Sequence, residues 1–196
     1  MWKKAEKYLQ KDEYIGSLIK KYGPCEIEPK KHIDYFQALV GEIIGQQLSG
    51  KAASTIYQRV KVKIGPRITA NKILALSHQD LRDCGTSWAK ARSLHDLAFC
   101  IKTRKLHVGK LAELPDKQII SELVAVKGIG LWTAEMFMMF TLGRQDVFSS
   151  GDLGLRKGLA KLVGKSFSPK EAETFALRWK PYRTLASWYV WKVVDN

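Results

Sequence analysis

Asp152 stands as a lone carboxylate after Gly151, at the end of the loop Asp146-Val147-Phe148-Ser149-Ser150-Gly151 and directly before a helical pattern over 153–163. An oxygen in that place can cap the helix. A carboxylate can also stabilise a developing positive charge and position or deprotonate a water. The two uses do not exclude one another. Asp146 is the rival carboxylate, but at the start of the loop a capping role suits it better. Upstream lies Lys127-Gly128-Ile129-Gly130. Two glycines flanking one apolar residue permit backbone angles that other residues resist. The amides of such a hairpin, with the unpaired N–H groups of the helix after it, can form an anion site. The same four residues also suit a plain tight turn. For a chain this basic, the anion would be a backbone phosphate.

The elements around these residues read as helices. Residues 116–126 carry Ile119, Ile120, Leu123, Val124 and Val126, with Pro115 at the start, and residues 131–142 are rich in Met, Phe and Ala. Between them sits the hairpin. Further upstream, residues 34–48 place Tyr35, Phe36, Leu39, Val40, Ile43 and Ile44 on one face, and the pattern ends in Gly45-Gln46-Gln47-Leu48-Ser49-Gly50. Two uncharged amides beside a helix end are ordinary surface residues. A helix over 51–63 follows, ending before Gly65-Pro66. A basic helix is predicted over 2–22, and Glu28-Pro29 marks an extended link. Two short helices lie between Thr69 and Cys84, where Ser77 and Asp80 form a capping-box pattern. Residues 88–103 carry the stripe Ala91, Leu94, Leu97, Ala98 and Ile101. Ser168-Pro169-Lys170-Glu171 is a complete helix start, and residues 182–193 hold Trp188, Tyr189 and Trp191. An aromatic stripe of that kind ordinarily belongs to a core. No strand pattern survives. The expected fold is all-α: about ten helices in two lobes with a central cleft, the first and last helices sharing a lobe.

Composition limits the partners. Thirty-three Lys and Arg against 19 Asp and Glu give a net charge of +14, spread along the chain rather than gathered in a tail. That points to a polyanion, either nucleic acid or an acidic membrane surface. Cys25, Cys84 and Cys100 are odd in number, widely spaced and without a C-x-x-C, which argues against a disulfide framework or a zinc site and fits a reducing compartment. His95 and His107 have no partner at metal spacing and read as solvated. No signal-peptide core and no membrane-length apolar run is present. The expected location is intracellular, bacterial cytoplasm or eukaryotic nucleus.

The string ELVAVKGIGLWTAEMFMMFTLGRQDVFSSGDLGLRKG, residues 122–158, resembles the helix-hairpin-helix DNA glycosylases with a Gly/Pro-rich loop and an essential Asp. More narrowly it resembles the 3-methyladenine DNA glycosylase II group, on the order hairpin, Trp, Thr-Ala, Asp-Val-Phe and a further Asp. The resemblance covers residues 30–195 and implies one glycosylase domain over 1–196. Residues 30–104 would be central to one lobe and 105–165 would form the hairpin lobe, with the termini packing together and no N-terminal β-domain. LRDCGTSWAKARSLHDLA resembles the family's inter-lobe linker.

The resemblance also implies roles. Asp152 would be catalytic, and Trp132, Met136 and Trp191 would wall the base pocket. Met136 stands where some bacterial relatives have Tyr. In IIGQQLS, Gln47 would fill the gap left by an extruded base, with Leu48 and Ser49 beside it in the minor groove. Lys127, Gly128, Ile129, Gly130 and Thr133 would hold a phosphate. The carbonyls of Val124, Val126 and Ile129 would hold a structural Na⁺ or K⁺, no other cofactor being required. Trp132 stands where strand-cleaving relatives carry a Schiff-base lysine, so a monofunctional enzyme is expected. No cysteine follows Cys100, so no iron–sulfur cluster is expected.

A single carboxylate suffices when the leaving base is already cationic, as an N3- or N7-alkylated purine is, because such a base leaves neutral. Cation–π attraction to Trp132 and Trp191 would add about 0.5–2 kcal/mol. The partner expected is double-stranded DNA with alkylated bases, bound by a monomer away from any membrane. Two other functions fit the sequence: a lesion-binding module without turnover, and a glycosylase for a deaminated or oxidised base.

Overall fold

The computed structural model describes residues 2–27, 34–65 and 67–195. Among them every regular element is helical: α1 (Lys3–Leu9), α2 (Ile15–Tyr22), α3 (Tyr35–Gly45), α4 (Gly50–Ile64), α5 (Ala70–Ala75), α6 (His78–Asp83), α7 (Trp88–Lys102), α8 (Asp116–Val124), α9 (Leu131–Phe140), α10 (Leu153–Val163), α11 (Pro169–Ala176) and α12 (Arg183–Asp195). Short 3-10 turns occupy Val108–Glu113 and Leu177–Trp179, the second prolonging α11. The expected link at Glu28-Pro29 and the proline of Gly65-Pro66 lie outside the described residues.

Local chemistry sets most helix starts. Asp34 accepts from the amides of Phe36 and Gln37 to start α3, and Ser49, Thr69 and Ser87 cap α4, α5 and α7 in the same way. Both expected capping boxes form, Ser77 with Asp80 at α6 and Ser168 with Glu171 at α11.

One expected helix is two. The pattern over 2–22 breaks because Asp12 Oδ1 takes the amides of Tyr14 and Ile15, each at 3.0 Å. A side chain that competes for backbone donors ends a helix and starts another. The chain folds back so closely there that a Cβ on Gly16 would lie 2.5 Å from the carbonyl oxygen of Gln10. His95 also departs from expectation. Its ring stacks on His78 at 4.3 Å between centroids, and its Nε2 is buried without a hydrogen bond. Burial, and then the neighbouring His78, push its pKa down.

The chain divides into two compact units, residues 1–29 with 138–196, and residues 30–137. The division falls inside α9, and the hairpin belongs to the second unit, bonded to Gln46 after α3 and to Asp96 of α7. In the first unit α10 packs on α12 so tightly that a Cβ on Gly158 would lie 2.5 Å from the Val190 carbonyl oxygen. Tyr189 of α12 is fully buried and donates to the Gly23 carbonyl at 2.9 Å, and α12 also packs on α1 and α2. In the second unit α7 packs on α3, α5 and α6, and Leu39, Ile43, Ile73, Leu94 and Leu97 are fully buried. Burial of side chains of this size contributes about 1.5–3 kcal/mol each.

Candidate active site

In the first unit the loop before α10 is anchored at its start. Thr184, fully buried, accepts from the Val147 amide at 3.0 Å and donates to the Arg144 carbonyl at 2.7 Å. Asp146 pairs with Arg183 through two oxygens, at 2.8 and 3.1 Å, and Arg183 reaches Glu173 at 2.8 Å. Asp146 is therefore committed to an ion pair that anchors the loop, in keeping with a capping role.

Asp152 is the N-cap of α10 and is half-buried. Its Oδ1 accepts from the Leu155 amide at 2.7 Å and from Trp191 Nε1 at 3.0 Å. The carboxylate thus sits at the positive end of α10 with two N–H donors fixing its direction. Trp191 leans on Phe140, with centroids 5.9 Å apart and planes at 37°. Gly154 makes room for this arrangement. A Cβ there would lie 3.0 Å from Asp152 Oδ1 and 3.2 Å from Trp191 Cδ1.

In the second unit the hairpin joins α8 to α9 and is supported from behind by α7. Gly128 has φ +84°, and a Cβ on it would lie 1.9 Å from Ser93 Oγ. Glycine is demanded there by conformation and by space. Gly130 has no such φ, and nothing stands within 4 Å of the place its Cβ would take. The second glycine therefore serves no backbone angle. It leaves one side of the turn open to close approach by another molecule.

The amides divide accordingly. Lys127 N–H donates to Asp96 Oδ2 at 2.8 Å and Ile129 N–H to the Val126 carbonyl at 3.1 Å. The Lys127 backbone amide is thus taken by Asp96, while its side chain is exposed. Among the carbonyls expected to hold a monovalent cation, that of Val126 accepts the Ile129 amide, which leaves it a second lone pair. Val124 is the last residue of α8, and Ile129 lies within the hairpin.

The remaining expected residues fall in the second unit. Trp132 is 43% exposed on the first turn of α9, while Met136, one turn on, is 5% exposed and packed. Gln47, Leu48 and Ser49 follow α3. Gln47 has φ +57°, rare for a residue with a side chain, and Leu48 is 39% exposed. Ser49 caps α4 through Ala52, so its hydroxyl has structural work.

Sequence reasoning missed the supports. Gln46 Nε2 donates to the Gly128 carbonyl at 2.9 Å and to Thr133 Oγ1 at 3.0 Å. Lys90 Nζ donates to the carbonyls of Ile44 and Gln46, at 2.9 and 2.7 Å, and burial lowers its pKa. Ser93 and Asp96 back the hairpin. The available signal was a serine and an aspartate set among the buried alanines and leucines of α7. It marks positions that need polar partners, not which partners.

The chain matches the family described as HhH-GPD superfamily base excision DNA repair protein over residues 40–184. It is 35% identical to the DNA-3-methyladenine glycosylase of Saccharomyces cerevisiae, over 98% of this chain and 70% of that protein. Among solved structures it is similar to a DNA-3-methyladenine glycosidase from Bacillus halodurans, with TM-score 0.84, 35% identity, and coverage of 97% of this chain and 88% of the other. It is likewise similar to the Schizosaccharomyces pombe 3-methyladenine DNA glycosylase Mag1 in complex with abasic DNA, with TM-score 0.81, 30% identity, and coverage of 96% and 95%. With the helix–hairpin–helix of α8 and α9 and the capped aspartate after it, the chain belongs to the HhH-GPD superfamily of base excision DNA repair proteins.

Proposed function

We propose that this protein is a monofunctional DNA glycosylase that hydrolyses the N-glycosylic bond of N3- or N7-alkylated purines in duplex DNA and leaves an abasic site. The observation that carries the reading is Asp152, whose Oδ1 is fixed by two N–H donors inside the family-matched segment. A base must leave the stack before chemistry on it can occur. As the bond breaks, its electron pair goes to the base, and positive charge builds on the sugar. The cationic base thereby leaves neutral and needs no acid. The oriented carboxylate stabilises the sugar cation and takes a proton from the water that attacks it. The indoles of Trp132 and Trp191 are each a face for a planar cationic base.

The hairpin with Thr133 grips a backbone phosphate, and Gln47 with Leu48 fills the vacated place. The net charge of +14 supplies salt-dependent attraction to DNA. A Na⁺ or K⁺ on the carbonyls of Val124, Val126 and Ile129 would join hairpin to phosphate structurally, and the reaction passes through no step on it. No described helix is long and apolar enough to cross a membrane. We assign the protein a monomeric role wherever DNA is kept, a nucleus or a bacterial cytoplasm.

The test is single-turnover release of methylated purines from alkylated duplex DNA, wild type beside Asp152→Asn, with the strand checked for nicks before alkali. Release by wild type alone, without nicking, is expected. Tight binding to abasic duplex with no release would instead establish a lesion-binding module, and undiminished release by Asp152→Asn would remove Asp152 from the mechanism.

A further inference from the structure

The loop expected to enter the duplex and the hairpin expected to hold its phosphate are joined by one side chain. Gln46 stands at the C-terminal end of α3, its amide bonded to the Glu42 carbonyl at 3.1 Å. Its side-chain nitrogen reaches across to the Gly128 carbonyl at 2.9 Å and to Thr133 Oγ1 at 3.0 Å. A carbonyl only accepts, so the amide nitrogen, not the oxygen, must face it. The backbone of Gln46 is held as well, because its carbonyl lies 2.7 Å from Lys90 Nζ. Three residues later Ser49 is fixed as the cap of α4. Gln47 and Leu48 are thus a two-residue span pinned at both ends, and Gln47 takes the left-handed φ of +57°. A strained residue persists only where its surroundings over-determine it, and such residues gather at functional sites. Here the restraints are the turn that the Leu48 amide closes on the Gly45 carbonyl at 3.1 Å, with Gln46 on one side and Ser49 on the other.

We propose that Gln46 is a positioning residue that couples the gap-filling span Gln47-Leu48 to the phosphate-holding hairpin, so that seating a phosphate on Gly128–Gly130 sets where the span enters the duplex. This rests on the roles given above to the hairpin and to residues 47–48. Its energetic consequence is specific. Filling the gap offsets the cost of breaking the base pair, which is greatest for a stable pair and absent when no partner base exists. Loss of the coupling therefore hurts most where the opposing base pairs well.

The experiment uses the whole chain with Gln46→Met, which keeps length and removes the donor. Single-turnover release of 7-methylguanine is measured opposite cytosine, opposite thymine and opposite a tetrahydrofuran abasic analogue. The expected loss is about tenfold, equivalent to about 1.4 kcal/mol, opposite cytosine. It shrinks through thymine to about twofold or less opposite tetrahydrofuran, where there is no pair to break. A variant that merely folds less well loses activity equally in all three. An equal loss, or none, overturns the proposal. Should Gln46→Met fail to fold, Thr133→Val removes one acceptor at the other end of the same link together with its contact to the phosphate, so a uniform loss is expected with the same grading among the three contexts on top of it, and a uniform loss alone overturns the proposal.

If the wild type releases nothing in any context, the glycosylase reading fails, and the coupling is judged by binding alone. The ratio of affinities for tetrahydrofuran-containing over undamaged duplex then falls at least fivefold in Gln46→Met, with undamaged binding unchanged. An unaltered ratio overturns it.

Discussion

The loop at Asp152 and the hairpin at Gly128–Gly130 prepare for their roles in opposite ways. The first presents a side chain. What is controlled is the direction of one carboxylate, through the Leu155 amide, Trp191 Nε1 and the space left by Gly154. The second presents backbone. What is controlled is the course of the chain, through Ser93 beneath Gly128, Asp96 on the Lys127 amide and Gln46 on the Gly128 carbonyl. The two glycines divide that task, one fitting against α7 and the other leaving the outer side clear. A site built on a side chain is vulnerable at the residue itself. A site built on backbone is vulnerable at its supports, because its working atoms cannot be mutated away.

That contrast can be broken or sharpened by substitution. The largest effect is expected at the carboxylate. Asp152→Asn keeps the cap oxygen and the fold but removes the charge, and single-turnover release should fall roughly 100- to 10,000-fold with abasic-duplex affinity retained. Next come the hairpin glycines, compared as a pair. Gly128→Ala forces a side chain into the left-handed region and against Ser93, and thermal or denaturant unfolding should show a loss of about 1–3 kcal/mol. Gly130→Ala meets nothing in the chain and should change stability by less than about 0.5 kcal/mol while weakening DNA binding. Equal destabilisation by both would end the division of labour drawn between them.

Trp191→Phe keeps an aromatic ring but loses the donor to Asp152. A hydrogen bond to a charged group contributes about 1.5–3 kcal/mol, so release should slow by about tenfold or more with binding little changed. The smallest effect is expected at Lys127→Ala. The backbone amide on Asp96 survives, and only one surface charge is lost. The slope of log affinity against log salt should drop by about one, measured by anisotropy titration across salt concentrations. A large rate effect there would mean that the Lys127 ammonium works on the reaction and not on the backbone.

Much of the scaffold was legible because it is written locally. Ser77 with Asp80 and Ser168 with Glu171 each act on amides within three residues, so spacing alone reveals them. The break near Asp12 used the same chemistry and was still missed, since the stretch was read as one basic helix. Asp152 could be read as a cap from its place after Gly151, and the family resemblance singled it out as the carboxylate of interest. Its second partner, Trp191, lies 39 positions away, and the aromatic stripe there looked like core. Gln46 was set aside as an ordinary surface amide for the same reason, with Gly128 lying 82 positions along the chain.

From the sequence alone came the helical class, the places where most helices begin, and the strongly basic character of the chain. Those features follow from side chains acting on backbone three or four residues away and from a charge count that needs no coordinates. Only the tertiary structure decided that Asp146 is committed to Arg183, that Trp191 aims Asp152, that Gly128 and Gly130 serve different ends, and that Gln46 ties loop to hairpin. Each of those depends on where separately formed helices come to rest against one another. Hydrophobic burial fixes that placement, and burial carries no direction or pairing that spacing along the chain could reveal.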